Sequence, residues 1–229
     1  MTRKSARGKF ITIEGLDGCG KSTQLAKLAE VLRADRYEVL ETREPGGTPI
    51  GERIRGVLLD SRTSGLSAWA EMALMFAARA QHIEEVIRPA LEAGRFVLCD
   101  RFTDSTEAYQ GGGRRLGTEP VLALHRILCG DLQPDLTILM DSEVAASVER
   151  ARRRNRRVAD AAMEPAAQDE NRFEQENRAF FQRVRDAYLA IARRETSRVV
   201  IMDARRPVET VHAEIVQTVR QRLLAAKSA

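Results

Sequence analysis

Cysteine is scarce in this 229-residue chain: Cys19, Cys99 and Cys129 form an odd set with no close pair such as C-x-x-C. That argues against a disulfide framework or a zinc site and fits a reducing, cytoplasmic compartment. Long apolar runs are also missing. The longest, such as Leu136 to Met140, are strand-sized, whereas a membrane span needs about 20 residues. Phe10 to Ile13 is too short for the core of a signal peptide, although basic residues precede it. Neither sign of charge dominates: 37 Lys and Arg stand against 33 Asp and Glu, a net charge of +4. This balance suits an enzyme with polyanionic substrates without demanding one, and it gives no support to a nucleic-acid partner. No internal repeat or long linker interrupts the chain. With 43% hydrophobic and 31% charged residues, it has the composition of an ordinary globular protein with one substantial core.

Five apolar runs punctuate the sequence: Phe10–Glu14, Val39–Thr42, Phe96–Asp100, Leu136–Asp141 and Val199–Asp203. They are nearly continuous rather than alternating, as in strands buried on both faces of a parallel sheet. Helical patterns lie between them, among them Trp69 to Ala93, stopped by Gly94, and Glu174 to Arg194. Strand and helix in alternation predict an α/β fold: a five-stranded parallel sheet with helices on both faces. Ligands of such folds gather at the carboxyl ends of the strands. Four runs end there in an acid, Glu14, Asp100, Asp141 and Asp203, which favours a metal-bearing edge, with capping as the plainer alternative for the last two. Residues 1 to about 8 read as a frayed tail, 9–226 as one domain, and about 150–172 as a mobile lid. That lid opens with six arginines between Arg150 and Arg157 and continues through an Ala-rich stretch, 158–169.

Gly15-Leu16-Asp17-Gly18-Cys19-Gly20-Lys21-Ser22 follows the first strand and opens a helix, matching G-x-x-x-x-G-K-[ST]. Its glycines let the backbone wrap phosphate oxygens with N–H donors at a helix start. ATP is therefore expected on Gly15 to Thr23, with Lys21 at the β- and γ-phosphates and Ser22 on Mg²⁺. This is the phosphate loop of the P-loop NTPase fold. Asp17 inside it needs a cation or a ligand hydroxyl to face, so a nucleotide sugar and the magnesium shell both stay open. Asp100-Arg101 at the end of the third run joins a carboxylate for metal or proton handling to a bidentate fork for phosphate.

Glu-Gly-Leu-Asp-Gly-Cys-Gly-Lys-Ser, Thr-Arg-Glu-Pro-Gly-Gly-Thr, Phe-Ala-Ala-Arg, Asp-Arg-Phe and Ala-Tyr-Gln-Gly-Gly-Gly stand in that order, with Pro134-Asp135-Leu136 and Asn171-Arg172-Phe173-Glu174 further on. Together they closely resemble the thymidylate kinases, over about Phe10 to Leu223. The resemblance implies transfer of the γ-phosphate of Mg-ATP to dTMP, with Asp17 near the sugar and metal, Glu44 lining the acceptor pocket and Arg55 on the acceptor phosphate. It implies Arg79 on thymine O4, Arg101 clamping the phosphate, Thr106 and Gln110 at the base, and a homodimer formed by helices beside the acceptor site. The phosphate loop has no arginine while the lid has several, which resembles the bacterial type whose catalytic arginine sits in the lid; Arg152, Arg153 and Arg154 are the candidates. An aromatic that stacks on thymine stands four residues before the base-reading arginine in many relatives. Here Met75 occupies that place, and Phe76, one residue later, is the expected stacker, since i,i+3 and i,i+4 share a helix face. His82 is expected on the helix surface or an interface, and Cys19 as a small filler. The competing readings are a kinase for another nucleoside monophosphate, a P-loop switch ATPase and an arginine-rich nucleic-acid module. The switch lacks its second lysine and N/T-K-x-D, and the arginine run lacks interleaved aromatics.

Overall fold

The computed structural model describes residues 7–161 and 172–224. Five strands, β1 (Phe10–Glu14), β2 (Val39–Arg43), β3 (Phe96–Asp100), β4 (Leu136–Asp141) and β5 (Val199–Asp203), pair in the order β2-β3-β1-β4-β5, all parallel. Each falls on a predicted run, to within one residue. Every residue of the central strand β1 is inaccessible to solvent, whereas edge strand β2 is half exposed. That difference is the cause of the unbroken apolar pattern in the middle of the sheet.

Ile11 and Ile13 turn to one face, with Leu98 and Ile138, under helices α1 (Lys21–Ala34) and α9 (Val208–Val219). Phe10 and Val97 turn to the other, against α3 (Ala68–His82), α4 (Arg88–Glu92) and α6 (Thr118–Leu128); α2 (Pro49–Leu59) packs on α3, and α5 (Thr103–Thr106) on α6. The predicted helix from Trp69 to Ala93 is one helical run, Ala68 to Glu92, widened to π geometry over Ile83–Ile87 and ended before Gly94, whose φ is 81°. A second π-helical stretch, Glu107–Gly113, packs on α8 (Arg178–Arg194). There Gly112 has no room for a side chain: a Cβ would lie 2.6 Å from that of Ala187. Gly112 of the Ala-Tyr-Gln-Gly-Gly-Gly motif is thus a packing residue. Asn177 caps α8 by accepting from Phe180 N, so this helix starts four residues later than expected, after a 3₁₀ turn at Phe173–Gln175.

Two boundaries differ from expectation. Gly8 is buried and donates to Leu91 O, and Arg7 pairs with Asp135. The chain is therefore fixed from Arg7, and the rest of the expected tail, 1–6, lies outside the described residues. The first half of the expected lid is helical: α7 (Val144–Ala161) carries all six arginines. Residues 162–171 lie outside the described ones.

Candidate active site

The carboxyl ends of β1, β2 and β3 converge, as the parallel arrangement requires. The loop after β1 takes left-handed turns at Gly18 (φ 79°) and Gly20 (φ 98°). At Gly18 a Cβ would stand 2.3 Å from Ser147 O, so α7 sits directly on the loop. Lys21 is buried and donates to the carbonyls of Gly15 (3.2 Å) and Leu16 (3.0 Å). Asp17, Gly18, Gly20, Lys21, Ser22 and Thr23 line an open recess in front of the loop. Gly15, Leu16 and Cys19, also expected at ATP, face inward. Leu16 and Cys19 belong to the core, and burial raises the Cys19 thiol above its usual pKa.

Ser22 Oγ donates to Asp100 Oδ2 at 2.9 Å, and Asp100 Oδ1 is buried without a partner. A hydroxyl beside an unsatisfied carboxylate oxygen is the hard-oxygen set that suits Mg²⁺ next to phosphate oxygens and water. Asp17, expected at the metal, is instead drawn to the acceptor side: Arg101 Nη2 donates to its Oδ1 (2.7 Å) and the Tyr109 hydroxyl to its Oδ2 (3.3 Å). The other two acids of the sheet edge are not in the site. Asp141 is held in a two-point pair by Arg185, and Asp203 by Arg205. Among the described residues no three His, Cys, Asp or Glu side chains converge as a metal cluster.

Arg101 itself has φ 76°, a backbone conformation strained for a bulky residue. Its guanidinium spans Asp17, Tyr109, Ser105 and Tyr188. Burial is the largest influence and opposes its charge, but Asp17, Tyr109, Tyr188 and Asp100 together overcome it and hold the guanidinium pKa well above its ordinary value.

Glu44, just beyond β2, meets α3. Arg79 Nε donates to its Oε2 at 2.7 Å and His82 Nδ1 to its Oε1 at 3.0 Å, while His82 Nε2 lies 2.7 Å from the Thr42 hydroxyl. Burial pushes the Glu44 pKa upward, yet Arg79 and His82 together overcome it and hold the carboxylate below its ordinary value. His82 is fully buried. It is neither on the helix surface nor at an interface but anchors the loop that carries Glu44. Arg79 also donates to Thr106 Oγ1 (3.0 Å), and its Nη1 is buried with no partner. Gln110 Nε2 donates to Glu71 Oε1 at 2.8 Å.

Arg79, Thr106 and Gln110 line a second recess, walled by Leu59, Met75, Phe102, Tyr109 and Phe173. Phe76 does not line it: the ring is buried beneath Arg79, whose guanidinium carbon lies 4.8 Å above it. Met75 takes the place expected for Phe76. The two recesses share Asp17, Glu44, Arg55 and Arg101. Of the lid arginines expected to act, Arg153 is exposed, and the side chains of Arg152 and Arg154 lie outside those described. Arg150, at the near end of the run, reaches the site. Its Nε donates to Gly18 O at 2.8 Å and it lines the first recess. Sequence reasoning passed over Arg150, Tyr109, Tyr188 and Ser105, although Tyr109 lies inside a motif quoted, Ser105 lies between two of them and Arg150 heads the run.

A lysine-bearing glycine loop beneath one recess, opening through an arginine into a second, is the plan of a P-loop phosphotransferase with separate donor and acceptor sites. The model of the thymidylate kinase family matches residues 13–215, and this chain belongs to that family. It is 50% identical over 208 residues to a thymidylate kinase of Pseudomonas syringae pv. tomato, covering 91% of this chain and 93% of the other. A thymidylate kinase of Desulfovibrio desulfuricans is 51% identical over 202 residues, 88% and 90% of the two chains. The crystal structure of a thymidylate kinase from Ehrlichia chaffeensis superposes with a TM-score of 0.71 at 30% identity, covering 93% of this chain and 99% of that one.

Proposed function

We propose that this chain transfers the γ-phosphate of ATP to dTMP, giving dTDP and ADP, with ATP on the loop from Gly15 to Thr23 and dTMP in the recess beneath Arg79. The observation that carries this reading is the wall of Asp17, Glu44, Arg55 and Arg101 common to both recesses, which brings two phosphorylated ligands end to end. The far end of the acceptor recess suits one edge of one base. Arg79 Nη1 is a buried donor without a partner. The Gln110 amide nitrogen is committed to Glu71, so the amide offers its carbonyl oxygen. A donor beside an acceptor matches O4 and N3–H of thymine. Cytosine presents the reverse pattern, and unpaired buried polar groups would reject it. Met75 and Phe102 supply apolar surface for the ring faces.

The acceptor phosphate is already an oxyanion at neutral pH, so catalysis rests on alignment and charge neutralisation. Arg101 clamps that phosphate and Arg55 contacts it, while Asp17, with Tyr109, faces the sugar. Lys21 exchanges its loop carbonyls for β- and γ-phosphate oxygens. Ser22 and Asp100 hold Mg²⁺, whose charge offsets that of the triphosphate. Arg150 stands in for Arg152, Arg153 and Arg154 as the lid arginine that closes on the migrating phosphoryl group. The chain works as a cytoplasmic homodimer, a reading supported by three buried free thiols and by the apolar side chains exposed on α2, α3 and α6.

The test is an acceptor panel of dTMP, dUMP, dCMP, AMP and GMP with Mg-ATP. dTMP is expected to give the highest kcat/KM and dCMP to be strongly disfavoured. A preference for AMP or GMP overturns the reading.

A further inference from the structure

Behind Arg101 lies a layer of polar groups whose innermost member, Glu14, lines neither recess, while Ser105 lines the acceptor recess. Glu14, the last residue of β1, is wholly buried. Its Oε1 accepts from Phe102 N at 2.7 Å, and its Oε2 from the hydroxyls of Ser105 (2.6 Å) and Tyr188 (3.0 Å). The same two hydroxyls accept from Arg101 Nη1, at 3.0 and 3.2 Å, and lie 2.8 Å from each other. A guanidinium only donates and a carboxylate only accepts. Any arrangement that keeps lone pairs turned to Arg101 therefore sends at least one hydroxyl proton to Glu14. The carboxylate sets the direction of both hydroxyls, and they in turn set the plane of the guanidinium. The Arg101 backbone is fixed to β1 through Ile13 O (3.1 Å), so the orientation of its guanidinium is set by side-chain contacts: Asp17 and Tyr109 on Nη2, and these two hydroxyls on Nη1.

We infer that Glu14 is a positioning residue for the acceptor phosphate, acting through the Ser105 and Tyr188 hydroxyls to fix how Arg101 presents its guanidinium to the shared wall of the two recesses. The inference rests on Arg101 being the phosphate clamp proposed above. The substitution Glu14→Gln tests it almost without change of shape. Phe102 N still requires an acceptor, so the new amide must keep its carbonyl there and turn its NH₂ toward Ser105 and Tyr188. Both hydroxyls then receive protons where they gave them, and their own protons turn toward Arg101.

The experiment is calorimetric titration at about pH 8.5, where Glu14 is ionised, of dTMP, and separately of ATP, into full-length wild type, Glu14→Gln, Arg101→Ala and the double variant. Glu14→Gln is expected to weaken dTMP binding on the order of tenfold, the scale of a lost charge-assisted hydrogen bond, and to change ATP affinity by less than about twofold. In the Arg101→Ala background the same substitution is expected to have almost no further effect, because its route to the ligand is gone. Unchanged dTMP affinity in Glu14→Gln overturns the relay, and so does an equal loss in both backgrounds, which marks a merely structural role. If Arg101→Ala itself leaves dTMP binding intact, the clamp reading falls with it. Should Glu14→Gln fail to fold, the double change Ser105→Ala with Tyr188→Phe keeps the carboxylate and breaks the relay. It is then expected to reproduce the selective loss of dTMP, and retention of wild-type dTMP affinity there counts against the proposal.

Discussion

Glu14 and Glu44 are both buried carboxylates within one site, yet their surroundings push them in opposite directions. Around Glu14 burial dominates, Asp104 adds to it, and the pKa is raised to about 7 from an ordinary 4.5. Glu44 has Arg79 and His82 in direct contact, and its pKa is lowered against the pull of burial. The consequences for stability follow from proton linkage. Between pH 4.5 and about 7 the folded chain holds a proton on Glu14 that the unfolded chain has released, so Glu14 makes stability fall as pH rises through this window and level off above it. The full effect is at most about 3.5 kcal/mol, at about 1.36 kcal/mol per unit. Glu44 contributes in the other sense, through stability present above its ordinary pKa and lost as pH falls below it. Thermal unfolding measured from pH 5 to 8 is thus expected to show a decline of Tm in wild type that is shallower in Glu14→Gln. Parallel slopes for the two proteins would remove Glu14 as the source.

At the scale of elements, α7 is the one whose chemistry was hardest to place. Its seat on the phosphate loop at Gly18 puts Arg150 over the donor recess, while Arg153, about one turn on, faces solvent. Arg150→Ala is expected to lower kcat by about 10³-fold or more, the range for a single transition-state arginine, with a much smaller effect on ATP affinity. Arg153→Ala is expected to leave kcat nearly unchanged. Steady-state kinetics on the two variants decide this, and equal effects would return the assignment to the run as a whole. The strands were legible because burial on both faces leaves an unbroken apolar run, and the phosphate loop because its spacing has one use between a strand and a helix. Arg150 was not legible, because six arginines within eight positions look alike until the partner of each is known. Asp141 and Asp203 resembled site acids for a similar reason: the partner of Asp141, Arg185, lies 44 residues away. Met75 and Phe76 differ by one position on a helix face, and only packing decides that the larger ring goes inward beneath Arg79. The tightest constraint on the Gly-Gly-Gly motif is the approach of α8, through Ala187 and Phe180.

For the molecule as a whole, the described surface carries apolar side chains on three adjoining helices. Trp69 is 56% exposed, Ile127 75%, and Ile50 and Val57 49% each. They lie on α3, α6 and α2, and α3 packs against both of the others. Single exposed apolar side chains are ordinary, but several on adjoining helices suit a surface for docking. A second copy of the chain is the occupant proposed for it, and the geometry of α3 links that contact to the site. The helix that exposes Trp69 carries Glu71 and Arg79, proposed above to face the base, on its buried side, so its outer face and the wall of the acceptor recess are joined in one element. Sedimentation at micromolar concentration is expected to give a species of twice the 25.6 kDa chain mass. The double change Trp69→Glu with Ile127→Glu is expected to give the single-chain mass. With the pairing lost, KM for dTMP is expected to rise more than KM for ATP, since the donor loop hangs from β1 and α1 rather than from α3. A wild-type chain that sediments at 25.6 kDa across that range while turning over dTMP fully would show that the acceptor recess needs no neighbour to hold its shape.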